Sequence, residues 1–377
     1  MERRPDPTSA QEETAVDTAA TSTVEDRAHY GESPSGGAAG ESDGRSVLPV
    51  ARHRVTRRRI QLALGLLWLL DGALQLQPFM FTRGFATQII APSAAGQPEW
   101  VAWPVDRVAS VIGSQPVLLD LVFAGVQLAL GIGFLWPRTV RAATVCSVVW
   151  AGGIWMFGEG LGGLAGGKAA LFTGAPGAAV LYGVLALAVW PGPRKREGDR
   201  TGTSGGVASW FPVAWAAIWL DMALLAVLPA NRSVADLSGQ VSGAIGTVPA
   251  WLGDIDRTAG RWVHDLGAVS VVLVAVVPVA IGLLGLGGPR RRRVAAWSGI
   301  TVALVTWIVG ESFGLLGSGM ATDPNTGVLL ARCGVALLGV TTPVAALHAT
   351  TSWRTRPVPD DRVGQAPVGQ APVVGVA

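Results

Sequence analysis

Eight stretches of the chain are nearly free of polar residues, at roughly 60–78, 116–136, 139–158, 174–190, 210–229, 265–287, 293–311 and 326–347. Most reach the ~20 residues that carry an α-helix across a hydrocarbon layer about 30 Å thick. Lipid offers backbone groups no water to bond, so apolar runs of this length are predicted to be helical. None of them alternates apolar with polar residues, which excludes a membrane β-barrel. The predicted fold is an all-α integral membrane protein with eight transmembrane helices.

Charge then orients the runs. RHRVTRRR precedes the first, PRTVR joins the second to the third, PGPRKREGDR follows the fourth, GPRRRR joins the sixth to the seventh, and WRTR follows the eighth. The alternate connections, 79–115, 159–173, 230–264 and 312–325, carry few bases and comparable acids. Positive residues are retained on the cytoplasmic side, so both termini are predicted there and these four connections outside. The expected location is the cytoplasmic membrane of a bacterium, with the lipid bilayer as the first partner.

Composition supports this reading. Half of the 377 residues are hydrophobic and 15% are charged, against about a quarter charged in soluble domains. That balance excludes a disordered chain, a disulfide scaffold and an ordinary cytosolic enzyme. The pI near 9.3 does not indicate nucleic acid, because the bases sit at the ends of apolar runs. Residues 1–50 form a Ser-, Gly- and acid-rich segment too poor in apolar groups to fold. Residues 351–377, with the duplicated VGQAPVGQAPV, read the same way. Between these tails lie two membrane units, 51–192 and 209–350, joined by a linker at 193–208.

The two units match in order. WLLDGAL at 68–74 returns as IWLDMAL at 218–224, placing Asp71 over Asp221. Pro98 and Trp100 return as Pro249 and Trp251, Asp106 and Arg107 as Asp256 and Arg257, and Pro137 and Arg138 as Pro289 and Arg290. Trp155, Gly158, Glu159 and Gly162 return as Trp307, Gly310, Glu311 and Gly314. Such periodicity is the mark of a repeat architecture. Each unit holds an even number of spans, so both insert the same way up, as two parallel four-helix repeats.

The opening RIQLALGLLWLLDG at Arg59–Gly72, followed by a long connection and three further spans, resembles the DoxX family of four-helix membrane proteins. The resemblance implies an accessory role in a redox or cell-envelope system and a membrane or extracytoplasmic oxidoreductase as partner; the residues themselves predict no cofactor, and a quinone enters only through the resemblance. The chain departs from that pattern in being doubled, in its acidic tail and in its Trp-x-x-Gly-Glu element, and no catalytic residue is carried over.

Asp71 lies eleven residues into its run, about 16 Å deep and near mid-bilayer. A carboxylate there needs a partner, a proton or water. With Glu159, Asp221 and Glu311 it is expected to form an acidic pocket between the repeats. Arg332, well inside the last run, is expected to pair with Glu311 or Asp221. Its approximate counterpart is Tyr182. Glu159 and Glu311 each follow a tryptophan by one helical turn, with glycines expected to allow close helix contact. Asp106, Arg107, Asp256 and Arg257 are candidate contacts on interfacial helices, with the acids near helix starts. Asp120 is expected to reach interfacial water, and His264 beside Asp265 is a weak basis for a metal site. Cys146 and Cys333 read as packing residues. Walker A, G-x-G-x-x-G and paired-histidine haem motifs are missing, so no self-contained catalysis is expected. A transporter of small solutes or ions, and a non-catalytic scaffold for lipid or protein, are the competing readings.

Overall fold

The computed structural model describes residues 55–191, 206–243 and 248–340. The tails 1–50 and 351–377, most of the linker 193–208, and the last run beyond 340 lie outside the described residues, as does His348.

Every described secondary element is helical. Helix α1 (Arg57–Gln75) starts at Thr56, whose hydroxyl accepts from Arg59 N–H. Its buried positions Ile60, Leu64, Trp68, Asp71 and Gln75 recur at three- and four-residue spacing. Two polar residues therefore continue an otherwise apolar stripe into the core. In the 79–115 connection, α2 (Glu99–Ser114) buries Val101, Val105, Ala109 and Ile112 against Met80, Phe85 and Ile90, and leaves Trp100 and Trp103 exposed. Helix α3 (Pro116–Leu135) packs along α1. The Arg58 guanidinium reaches the carbonyls of Phe134 and Leu135 and so neutralises the end of α3. Helix α4 (Val140–Gly153) continues through a widened turn at Ile154–Gly158 and packs on α5 (Ala178–Ala188).

The second half follows with α6 (Phe211–Leu225), the short α7 (Val234–Ser242), α8 (Ala250–Leu266), α9 (Ala268–Gly285), α10 (Pro289–Val309) and α11 (Asn325–Leu338). Here α6 packs on α9, α10 on α11, and α11 also on α5. Trp215 is wholly buried in a slot between Gly285 and Gly299, where any added Cβ would strike the indole.

Each of the eight predicted runs contains a helix. Four segments, Pro116–Leu135, Val140–Gly158, Ala268–Gly285 and Pro289–Val309, are long and apolar enough to cross a bilayer. Residues such as Leu121, Val122, Val149, Val272, Val276 and Val305 stay exposed on their outer faces. Large apolar side chains turned outward all along a helix suit lipid as solvent.

The two halves trade loops. Asn231, just after α6, donates to the carbonyls of Ala169 and Leu225 and accepts from Leu171 N–H and Gln240. This fastens the loop after α4 to the second half. In return, Gln77 donates to the carbonyl of Ala321, and the Thr326 hydroxyl donates to that of Gly174.

Candidate functional site

A cavity of about 480 Å³ is lined mainly by residues of the first half. Trp68, Phe85, Phe123, Trp150 and Tyr182 form its aromatic walls. Trp68 is held by a 3.0 Å bond from its indole N–H to Ser147 Oγ, with its ring 4.3 Å from that of Tyr182. Trp150 lies 5.6 Å from Phe123.

Polar atoms without hydrogen-bond partners cluster in the residues around this apolar space. Asp71 Oδ1, Gln75 Oε1, Gln127 Oε1, Trp150 Nε1, Glu159 Oε2 and the Tyr182 hydroxyl are all buried and unbonded, and all belong to residues lining the cavity. Each orphaned buried group costs about 1–3 kcal/mol. Six such atoms belong to the lining of one cavity, which concentrates that cost at one place. Asp323 arrives from the other half, on the loop before α11. Its charge acts on Asp71, Glu159, Glu311 and Tyr182. Burial raises its carboxyl above the usual carboxylate range, while bonds from Thr322 and Asn325 pull it back.

Glu159 also borders a second, more polar pocket with Gln97, Lys168 and Asn325. Its Oε1 accepts from Ala179 N–H at 3.1 Å, in the first turn of α5. Glu311 does the same for α11, accepting from Gly327 N–H at 2.9 Å. Both glutamates thus serve as remote helix caps. The tryptophans one turn before them are bonded as well. Trp155 donates to the carbonyl of Pro176 at 2.9 Å, and Trp307 to that of Pro324 at 2.8 Å. The following glycines serve a turn rather than helix contact. Gly162 and Gly314 sit at φ 61° and 65°, and a Cβ there would lie 2.1 and 2.6 Å from the same two proline oxygens.

The four-acid pocket expected from the sequence divides. Asp71 and Glu159 line the cavity, whereas Asp221 and Glu311 do not. Asp221 is half-buried on α6. Arg332 is half-buried on α11 and takes part in neither ion pair found among the described residues, Arg257–Asp254 and His264–Asp265. The expected partnership with Glu311 or Asp221 is not formed, and the Glu311 carboxylate bonds the α11 backbone instead.

The outer candidates also differ from one another. Asp106, Arg107 and Arg257 are exposed, with Arg107 stacked 5.9 Å from the Trp103 ring. Asp256 is fully buried and accepts from the Ser312 hydroxyl at 2.9 Å. Burial raises its carboxyl above the ordinary range, and the Ser312 bond lowers it again. Neither acid lies near a helix start, since α2 begins at Glu99 and α8 at Ala250. Asp120 does not reach water, being fully buried with both oxygens unpartnered. No cluster of three metal-ligating side chains occurs among the described residues.

Gln75, Gln127 and Asp323 are not among the residues singled out from the sequence, and Tyr182 stands there only as the counterpart of Arg332. Gln75 was legible, standing one turn past Asp71 on the same face. So was Gln127, a lone amide inside an apolar run. Asp323 carried no such sign, since only the exchange of loops brings it here. Comparison of the chain with family models, curated proteins and solved structures returned no match.

Proposed function

We propose that the chain is an eight-span protein of the bacterial cytoplasmic membrane, a tandem copy of a DoxX-like four-helix unit. Its first unit holds a lipophilic ligand on behalf of a redox or cell-envelope system. The observation that carries this reading is the aromatic cavity with its orphaned polar atoms. The duplication draws support from the recurring Trp-to-Pro and Glu-to-backbone bonds. It also draws support from the paired packing of α1 on α3 with α6 on α9, and of α4 on α5 with α10 on α11.

In this register Pro176 matches Pro324, so the counterpart of Tyr182 is Leu330 rather than Arg332. Gln75, Gln127 and Trp150 then correspond to Leu225, Val279 and Val302. The second unit keeps the two acids as Asp221 and Glu311 but carries apolar residues at these four places, so ligand holding belongs to the first.

A quinone head group offers two carbonyl acceptors. The cavity offers Trp150 N–H and Tyr182 O–H as unpartnered donors, so these residues fit such a group. The reading is tested with full-length protein in lipid nanodiscs, titrated with a short-chain quinone and followed by tryptophan fluorescence. Saturable quenching is expected, abolished by Gly153→Leu. Gly153 lines the cavity, and a Cβ there meets nothing within 4 Å, so the backbone accepts a side chain whose bulk then takes up cavity volume. Quenching unchanged in that variant would refute the reading. Glu159, bordering both pockets, favours a second reading as a solute transporter. That reading predicts proteoliposome flux that Asp71→Asn abolishes.

A further inference from the structure

A quinone would meet two of the six orphaned groups and leave the rest. The remaining atoms, on Asp71, Gln75, Gln127 and Glu159, are all oxygens. We propose that the cavity takes a lipophilic organic cation, an ammonium or phosphonium centre wrapped in apolar groups, seated against Asp71 and the aromatic walls. This names the ligand class for the ligand-holding reading above and rests on it.

Three observations converge. First, the lining carries three carboxyl groups, on Asp71, Glu159 and Asp323, and no lysine, arginine or histidine. Second, Asp71 is 1% exposed and its Oδ1 has no hydrogen-bond partner, and the group within the fold that eases its charge is the neutral Tyr182 hydroxyl rather than a cation. Arg332, the cation within α11, is absent from the lining, and Lys168 borders only the second pocket. Third, four aromatic residues, Trp68, Phe123, Trp150 and Tyr182, line the cavity, and aromatic rings attract a positive centre through their quadrupoles while solvating its apolar groups. A small hydrated metal ion suits this site poorly, because most of the lining can coordinate nothing.

Protons compete with such a ligand for the same oxygens. The titratable groups facing the cavity are Asp71, Glu159, Tyr182 and Asp323, so binding strengthens as pH rises and the carboxyls ionise.

The test uses full-length protein in phosphatidylcholine nanodiscs and two probes of equal shape and opposite charge, tetraphenylphosphonium and tetraphenylborate. The phosphonium is expected to bind saturably and at least tenfold more tightly than the borate after subtraction of empty discs. Asp71→Asn should weaken it about tenfold, Asp323→Asn should weaken it less, and Gly153→Leu should abolish it. Equal binding of the two probes overturns the proposal without any variant, as does native phosphonium affinity in both asparagine variants. If the quinone still binds and Gly153→Leu still removes it, the cation assignment alone has failed. If no probe responds to Gly153→Leu, the ligand-holding reading falls with it.

Discussion

Asn231→Ala removes the side chain that fastens the loop after α4 to the second half. The amide is fully buried and makes four bonds, donating to Ala169 O and Leu225 O at 2.8 Å each, and accepting from Leu171 N–H at 3.1 Å and Gln240 Nε2 at 2.9 Å. At about 1 kcal/mol net per bond, and more where a partner is left buried and unbonded, the loss is about 4 kcal/mol. Asn231→Asp retains the two accepted bonds and forfeits the two donated ones, so it should cost about 2 kcal/mol from bonding and more from the charge it buries. The expected consequence is local opening of the loop carrying Leu171 and Lys168. A cysteine at buried Ala169 reports this through its labelling rate. A 4 kcal/mol loss confined to the loop raises the open population by several hundredfold, roughly a factor of ten per 1.4 kcal/mol. Labelling in Asn231→Ala within twofold of the parent would refute the reasoning. It would mean that water or neighbouring groups replace the amide at no cost.

Two further outcomes follow from packing and charge. A Cβ at Gly131 would lie 2.8 Å from Gly65 O and 2.6 Å from Leu69 Cγ, while one at Gly125 on the same helix meets nothing. Gly131→Ala should therefore destabilise the α1–α3 pair by about 1–3 kcal/mol and Gly125→Ala should not, as measured by unfolding in mixed micelles. Asp256 has a carboxyl raised by burial, so above the ordinary carboxylate range the folded state holds a proton that the unfolded state has released. Its contribution to stability falls as pH rises through the raised value, and Asp256→Asn should flatten that slope in a pH series of unfolding midpoints.

Length and hydropathy alone determined that the chain is helical and apolar, because a helix satisfies its own backbone and the runs are long enough to need that in lipid. Helices occupy all eight predicted runs, and four are long and apolar enough to span. Local spacing also showed that Asp71 and Glu159 stand apart from their apolar surroundings. It did not show which acids share a site. Asp71 and Asp221 occupy like positions in like sequences, yet one lines a cavity and the other does not, because Gln75, Gln127 and Tyr182 surround only the first. Glu159 and Glu311 are expected from the sequence in one acidic pocket, whereas the fold brings the next helix N-terminus onto each of them. Asp323 belongs to the cavity solely because the loops of the two halves cross. Periodicity is a short-range property that each run carries by itself, whereas convergence depends on how distant segments dock, and only the packed structure decides that.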